Sequence, residues 1–176
     1  VFGDVARTGL IASSNTTFTI GPDITIRGGS NQDRAARIGV AEWNGPSNVR
    51  VVNQGTISSD AGRGIGVYAI NGQTFVNQGI VEAKNSSYFA AHALIENSGT
   101  MSALDNSTFD VAWFGYSWTN TGTLTSVNST INFRGYVTLG GLGAFNRTGG
   151  VVNLIDLLDV TGTTLAFNTT TGSWNL

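Results

Sequence analysis

Apolar residues come in short alternating or continuous runs along the whole chain, and turns rich in asparagine and glycine separate them. One set of runs leads into an asparagine: Val49 to Val52, Thr74-Phe75-Val76, Leu94-Ile95-Glu96, Ser117-Trp118-Thr119 and Leu165-Ala166-Phe167. A second set follows the asparagine: Thr56-Ile57-Ser58, Ile80-Val81-Glu82, Thr100-Met101-Ser102, Thr123-Leu124-Thr125 and Val151-Val152-Asn153. A third set is the most apolar: Ile38-Gly39-Val40, Ile65-Gly66-Val67, Phe89-Ala90-Ala91, Phe109-Asp110-Val111, Ile131-Asn132-Phe133 and Leu157-Leu158-Asp159-Val160. A period of two over so few residues predicts strands, and nothing holds the 3.6-residue period long enough to predict a helix. Val, Ile, Phe, Thr and Trp suit a pleated surface, while Gly, Asn and Asp take the bends.

The asparagines that punctuate these runs are Asn53, Asn77, Asn97, Asn120, Asn146 and Asn168, at intervals of 24, 20, 23, 26 and 22 residues. Recurrence at this spacing marks a solenoid. Three short strands per repeat of about 23 residues predict an all-β, right-handed parallel β-helix of about seven coils. One domain spans 1–176, with 1–48 less regular and 49–176 regular. Thr17-Phe18-Thr19-Ile20 and Ile24-Thr25-Ile26 are strands of the earlier coils. The match of Ile38-Gly39-Val40 through Asn44-Gly45 to Ile65-Gly66-Val67 through Asn71-Gly72 predicts the register between two coils, the first carrying extra residues around Pro46. A coil cannot stand alone. Ordering 23 backbones costs about 1–2 kcal/mol each, against on the order of 10 kcal/mol from about five buried side chains. Neighbouring coils must supply the rest.

Stacking places equivalent residues about 4.8 Å apart, so the six asparagines are expected to form a ladder of side-chain amides. Asp60, Asn85, Asn106 and Asn128 predict a second column, with Asn153 a weaker member. Asn15, Asn85, Asn106, Asn128, Asn146 and Asn168 also open N-x-S/T triplets and are the candidate glycosylation sites. With 17 asparagines and 37 Ser plus Thr, about four such triplets arise by chance, so turn duty is the simpler expectation.

Charge narrows the function. Only 11% of residues are charged, against about a quarter in ordinary domains, and the net charge is −2. Phosphate binding needs clustered Lys and Arg, and the nearest approach to a patch is Arg27, Arg34 and Arg37, so no nucleic-acid partner is expected. There is no cysteine, hence no disulfide and no thiolate metal site. No apolar run reaches the roughly 20 residues of a membrane span. The first residue is Val1, without a signal-peptide pattern, which suggests a processed or excised product.

Candidate chemistry is thin. His92 is the one histidine and cannot form a histidine cluster. Gly140-Gly141-Leu142-Gly143 lacks the aspartate of calcium-binding nonapeptide repeats, so neither metal nor cofactor is expected. Polysaccharide cleavage needs paired carboxylates or a base beside a carbonyl, and the candidates are Asp105 with Asp110 and Asp156 with Asp159. Turn and capping duty explains both pairs. Phe109, Trp113, Phe114, Tyr116 and Trp118 crowd into ten residues; Trp113, Phe114 and Tyr116 are the candidate contact surface for sugar rings or a partner. Thr56, Thr100 and Thr123 make a short column of the kind an ice-binding face needs, interrupted by Ile80 and Val151.

Neither end shows an obvious cap, so the chain is expected to be a segment of something longer or to mate head-to-tail with other copies. The N-x-G-T units at Asn53, Asn97 and Asn120, with the stretch Leu157 to Leu165, resemble the parallel β-helix regions of large bacterial secreted surface proteins, the autotransporter passengers and filamentous-haemagglutinin-like adhesins. The resemblance covers 49–176 well and the first 48 residues poorly. It implies an extracellular or cell-surface location, a non-catalytic structural or adhesive role, and partners that are surface glycans, proteins or other copies. A polysaccharide-cleaving β-helix, a lyase or tailspike-type depolymerase, is the alternative.

Overall fold

The computed structural model describes residues 9–28, 36–39, 45–68, 71–168 and 171–176. Arg34 and the first eight residues of the less regular N-terminal region lie outside them. The chain is a parallel β-solenoid wrapped by three sheets. The first sheet runs Gly9–Ile11, Ala36–Gly39, Gly64–Val67, Tyr88–Ala91, Thr108–Val111, Thr130–Phe133 and Val151–Leu154. The second runs Thr17–Ile20, Arg50–Asn53, Thr74–Asn77, Leu94–Asn97 and Thr119–Asn120. The third runs Thr25–Gly28, Thr56–Ser59, Ile80–Ala83, Thr100–Ala103, Thr123–Val127 and Ala144–Thr148. Each of the first five windings visits the sheets in that order.

Of the seven expected windings, five place a strand in all three sheets. In the sixth and seventh the middle strand leaves: Tyr136–Thr138 and Leu157–Asp159 pair with each other in a small separate sheet. The cause is local. Gly140-Gly141 belongs to a helical turn, Leu139–Leu142, capped by Thr138, whose hydroxyl accepts from Gly141 N. That turn fills the corner where the earlier windings place an asparagine.

Two expectations are corrected by the register. Ile38 pairs with Val67, and Ala36 with Ile65, two residues away from the match read in the sequence. A slip of two keeps the same side chains facing inward, so the apolar pattern cannot detect it. Val151–Leu154 belongs to the first sheet and pairs with Thr130–Phe133, whereas Leu157–Asp159 does not join that sheet. The third-sheet strand of that winding is Ala144–Thr148.

Inward positions stack as columns of apolar residues. Ile26, Ile57, Val81, Met101, Leu124 and Phe145 follow one another in the third sheet, and Ile65, Phe89, Phe109, Ile131 and Val152 in the first. The neighbouring column, Val67, Ala91, Val111 and Phe133, mixes small and large residues and is buried throughout. Gly55, Gly79, Gly99 and Gly122 let the corner windings touch: a Cβ on Gly99 would stand 2.1 Å from Gly79 O, and one on Gly122 2.0 Å from Gly99 O.

Candidate functional site

Two amide ladders organise the polar chemistry. The first is buried at the corner between the second and third sheets. Asn53 Nδ2 donates to Asn77 Oδ1 at 2.8 Å, Asn77 Nδ2 to Asn97 Oδ1 at 2.7 Å, and Asn97 Nδ2 to Asn120 Oδ1 at 2.7 Å. The same nitrogens also reach backbone carbonyls, Asn53 that of Ile80 and Asn77 that of Thr100. Asn120 Nδ2 ends the run on Leu142 O and Ala144 O. The expected six-rung ladder therefore has four rungs. Asn146 lies exposed in the strand Ala144–Thr148, in register with Thr125, and Asn168 is tied to Thr171 in a local turn. At the other end Ile20 stands in register with Asn53, which leaves Asn53 Oδ1 buried without a donor.

The second ladder runs along the outer side of the first sheet. Asn132 Nδ2 donates to Asp110 Oδ1 at 2.5 Å, Asn153 Nδ2 to Asn132 Oδ1 at 2.7 Å, and Asn175 Nδ2 to Asn153 Oδ1 at 2.7 Å. Asn153 therefore belongs here and not to the turn column where the sequence placed it. Asn85, Asn106 and Asn128 do occupy turns, each with positive φ, 58°, 59° and 46°. Asp60 has a different duty, accepting from Gly28 N and pairing with Arg27 at 2.7 Å.

Asp110 is the head of the outer ladder and the most connected acid among the described residues. It is 4% exposed. The Tyr88 hydroxyl donates to its Oδ2 at 3.0 Å and Arg134 Nε at 3.2 Å, while His92 Nε2 stands 3.6 Å away. Burial alone would raise the Asp110 carboxyl, but neighbouring His92, the Asn132 amide, the Arg134 charge and the Tyr88 hydroxyl outweigh it and hold the group below the ordinary carboxylate range. Tyr88 moves the opposite way: burial, then the charge of Asp110, makes its phenol harder to ionise. His92 is itself only 7% exposed, its ring perpendicular to Tyr68 with centroids 5.0 Å apart and tilted against Trp113 at 4.2 Å. Arg37 covers Tyr68 at 4.6 Å and Arg134 covers Trp113 at 5.0 Å. The result is a continuous row, Arg37, Tyr68, His92, Trp113 and Arg134, with the Tyr68 ring lying over Gly66, where a Cβ would stand 2.6 Å from it.

This cluster escapes a scan of the sequence because its members sit on separate windings. The signal that finds it is the repeat length, since Tyr88, Asp110 and Arg134 are 22 and 24 residues apart, one winding each.

The remaining candidates separate. Asp105 sits exposed in a left-handed turn, φ 56°, apart from the covered strand position of Asp110. Asp156 Oδ2 accepts from Gly135 N at 2.8 Å, and Asp159 accepts from the Tyr136 hydroxyl at 2.7 Å and Thr161 N at 2.8 Å. Bonds from Thr161, then from Tyr136, depress the Asp159 carboxyl to about 2. Of the aromatic trio, Trp113 is 39% exposed with Arg134 and His92 on its ring, Tyr116 is half-buried, and Phe114 is 76% exposed. They ride on a seven-residue connection, 112–118, where the winding before needs only His92-Ala93. Trp118 lies inside, as the interior-column reading expects, donating its indole N–H to Arg134 O at 2.8 Å. The loop is fixed by Tyr116 N donating to Trp113 O and by positive φ at Ala112 and Gly115. In the threonine column Thr25, Thr56, Thr100 and Thr123 align, with Ile80 in their midst and Ala144 after them.

Among the described residues no group of three His, Asp or Glu side chains could hold a metal ion, and no helix is long and apolar enough to cross a membrane. No family model matches the chain, and no curated protein or solved structure matches it either.

Proposed function

We propose that the chain is a non-enzymatic extracellular solenoid with a structural and adhesive role, either a subunit stacking head-to-tail into a fibre or a segment of a larger adhesin of the kind its repeats resemble. One observation carries this: polar side chains that could do chemistry are spent holding windings together, while a bare aromatic ring, Phe114, projects from a rigid loop. A fixed loop on a stiff scaffold is where recognition groups belong. Surface glycans and other copies are the partners this reading names, with no role for nucleic acid. Binding to a glycan array or to a cell surface tests it, with Phe114→Ala expected to weaken capture severalfold; equal capture by both chains would sink the adhesive part.

Polysaccharide cleavage is the second reading, favoured by the meeting of Tyr88, His92, Asp110 and Arg134 in one cluster. Against it, the acid and the histidine are covered, and a phenol made harder to ionise is a poor base. Release of unsaturated sugar ends from a uronate polymer, lost in Tyr88→Phe, would establish it over the first.

A further inference from the structure

The segment Thr171–Leu176 docks on the body of the molecule through a built site. Asn175 N donates to Val152 O at 2.9 Å, and Leu154 N donates to Asn175 O at 2.8 Å, so the segment adds to the open edge of Val151–Leu154 as the next parallel strand would. Asn175 extends the outer amide ladder. Trp174 packs against Phe133 at 5.4 Å, Phe145 at 6.0 Å and Phe167 at 5.9 Å, closing the aromatic end of the interior. Arg147 latches it: Nη1 donates to Ser173 O at 2.7 Å, while Nη2 and Nε grip Gly150 O and Gly149 O at 2.6 and 3.0 Å. Gly172 passes under the guanidinium, where a Cβ would stand 2.6 Å from Nη1.

The chain that leads to this segment is held differently. Between Asp159 and Asn175 no strand forms among the described residues, where an ordinary winding pairs its third strand with the one before. Val160–Asn168 is exposed apart from Leu165, turns back through Thr163 N on Val160 O, and meets the segment through the Thr171 hydroxyl on Ala166 O and Phe167 on Trp174. A docked element on a weakly held arm is the anatomy from which an identical element of another copy can be exchanged at small cost.

We propose that Thr171–Leu176 is an exchange element: two copies of this chain pair by each seating that segment in the other's Arg147 and Phe133 site. The site's own occupant identifies the partner, since the exchanged segment makes the same bonds in the same register. The pairing is independent of what the exterior of the solenoid binds.

Full-length Arg147→Ala, with a damaged site and an intact segment, is mixed with full-length Trp174→Ala, with the converse, and native mass spectrometry counts the pairs. Either substitution alone unseats the segment, so the mixed pair keeps one working contact where each homodimer keeps none, and heterodimer should exceed either homodimer by about tenfold or more. Hydrogen exchange across Thr74–Met101 confirms that both chains keep their central windings, and Trp174→Leu replaces Trp174→Ala if that chain does not. Heterodimer no more abundant than a random mixture, or equally abundant when the partner carries both substitutions, overturns the proposal.

Discussion

The two amide ladders are made of the same side chain at the same winding repeat, yet they are built in opposite senses. In the buried ladder, Asn53 through Asn120, every donor points toward the later winding. In the outer ladder, Asp110 through Asn175, every donor points toward the earlier one and the run terminates on a carboxylate. The first is uncharged and closed to solvent, so its amides turn to the next rung or to backbone. The second lies half-buried, and its charged head is itself neutralised by Arg134. Direction in a ladder thus follows from what stands at its ends: the backbone carbonyls of Leu142 and Ala144 take the final donor of one, and a carboxylate takes the first donor of the other.

The largest expected effect comes from closing the space that the buried ladder needs. Gly99→Ala brings a Cβ within 2.1 Å of Gly79 O, backbone that cannot yield without parting two windings. A cost of about 3 kcal/mol or more in urea unfolding is expected. Gly140→Ala, with open space around its Cβ and a helical turn to favour it, should stabilise slightly or change nothing. If the two substitutions cost the same, close stacking is not what the N-x-G units provide.

Next come the rungs. Asn97→Ala deprives the buried Asn120 Oδ1 of its donor and Asn77 Nδ2 of its side-chain acceptor, a loss of about 3 kcal/mol. Asn53→Ala deprives one side-chain partner, Asn77 Oδ1, besides the Ile80 carbonyl, and it removes an oxygen already without a donor, so about 1–2 kcal/mol less is expected. Asn153→Ala, in the half-buried ladder, should cost about 1 kcal/mol. Chemical denaturation of the three chains gives the order, and Asn153 outranking Asn97 would reverse the comparison.

How much of this was legible depends on what the repeat repeats. Asn53, Asn77, Asn97 and Asn120 each have glycine two residues on, and those four form the ladder. Asn146 has its glycine three residues on and Asn168 four, a difference that separates rung from non-rung in sequence. Strand type and winding length were legible because period two and the asparagine spacing report backbone geometry. The slip of Ile38 against Val67 was not, since inward faces repeat every two residues. The Asp110 cluster was not either, because its partners come from neighbouring windings and its acid looks like any strand-borne aspartate.

Acid should probe the outer ladder before the inner one. The Asp110 carboxyl is held below its ordinary value in the folded chain, so it favours the folded state above its unfolded pKa, about 3.9. That contribution is lost as pH falls through the lower folded value. Between pH about 4 and 2 the wild-type chain should lose stability more steeply than Asp110→Asn, while the two run parallel above pH about 5. Equal slopes in thermal unfolding across the acid range would mean that Asp110 gains nothing from its four neighbours.

The smallest effect is the sharpest control. Gln54 Nε2 donates to Gln78 Oε1 at 3.1 Å, one residue beyond the Asn53 and Asn77 rung and one winding apart in the same way. Donor, acceptor and spacing are alike, and only access to water differs, since both glutamines are exposed. Water replaces either partner when the bond breaks, so Gln78→Ala should change unfolding by under about 0.5 kcal/mol. A cost matching that of Asn97→Ala would show that amide stacking stabilises the solenoid by itself, wherever it occurs. A near-zero cost beside a large one at Asn97 assigns the ladder's strength to burial: the rungs hold because nothing else can satisfy them.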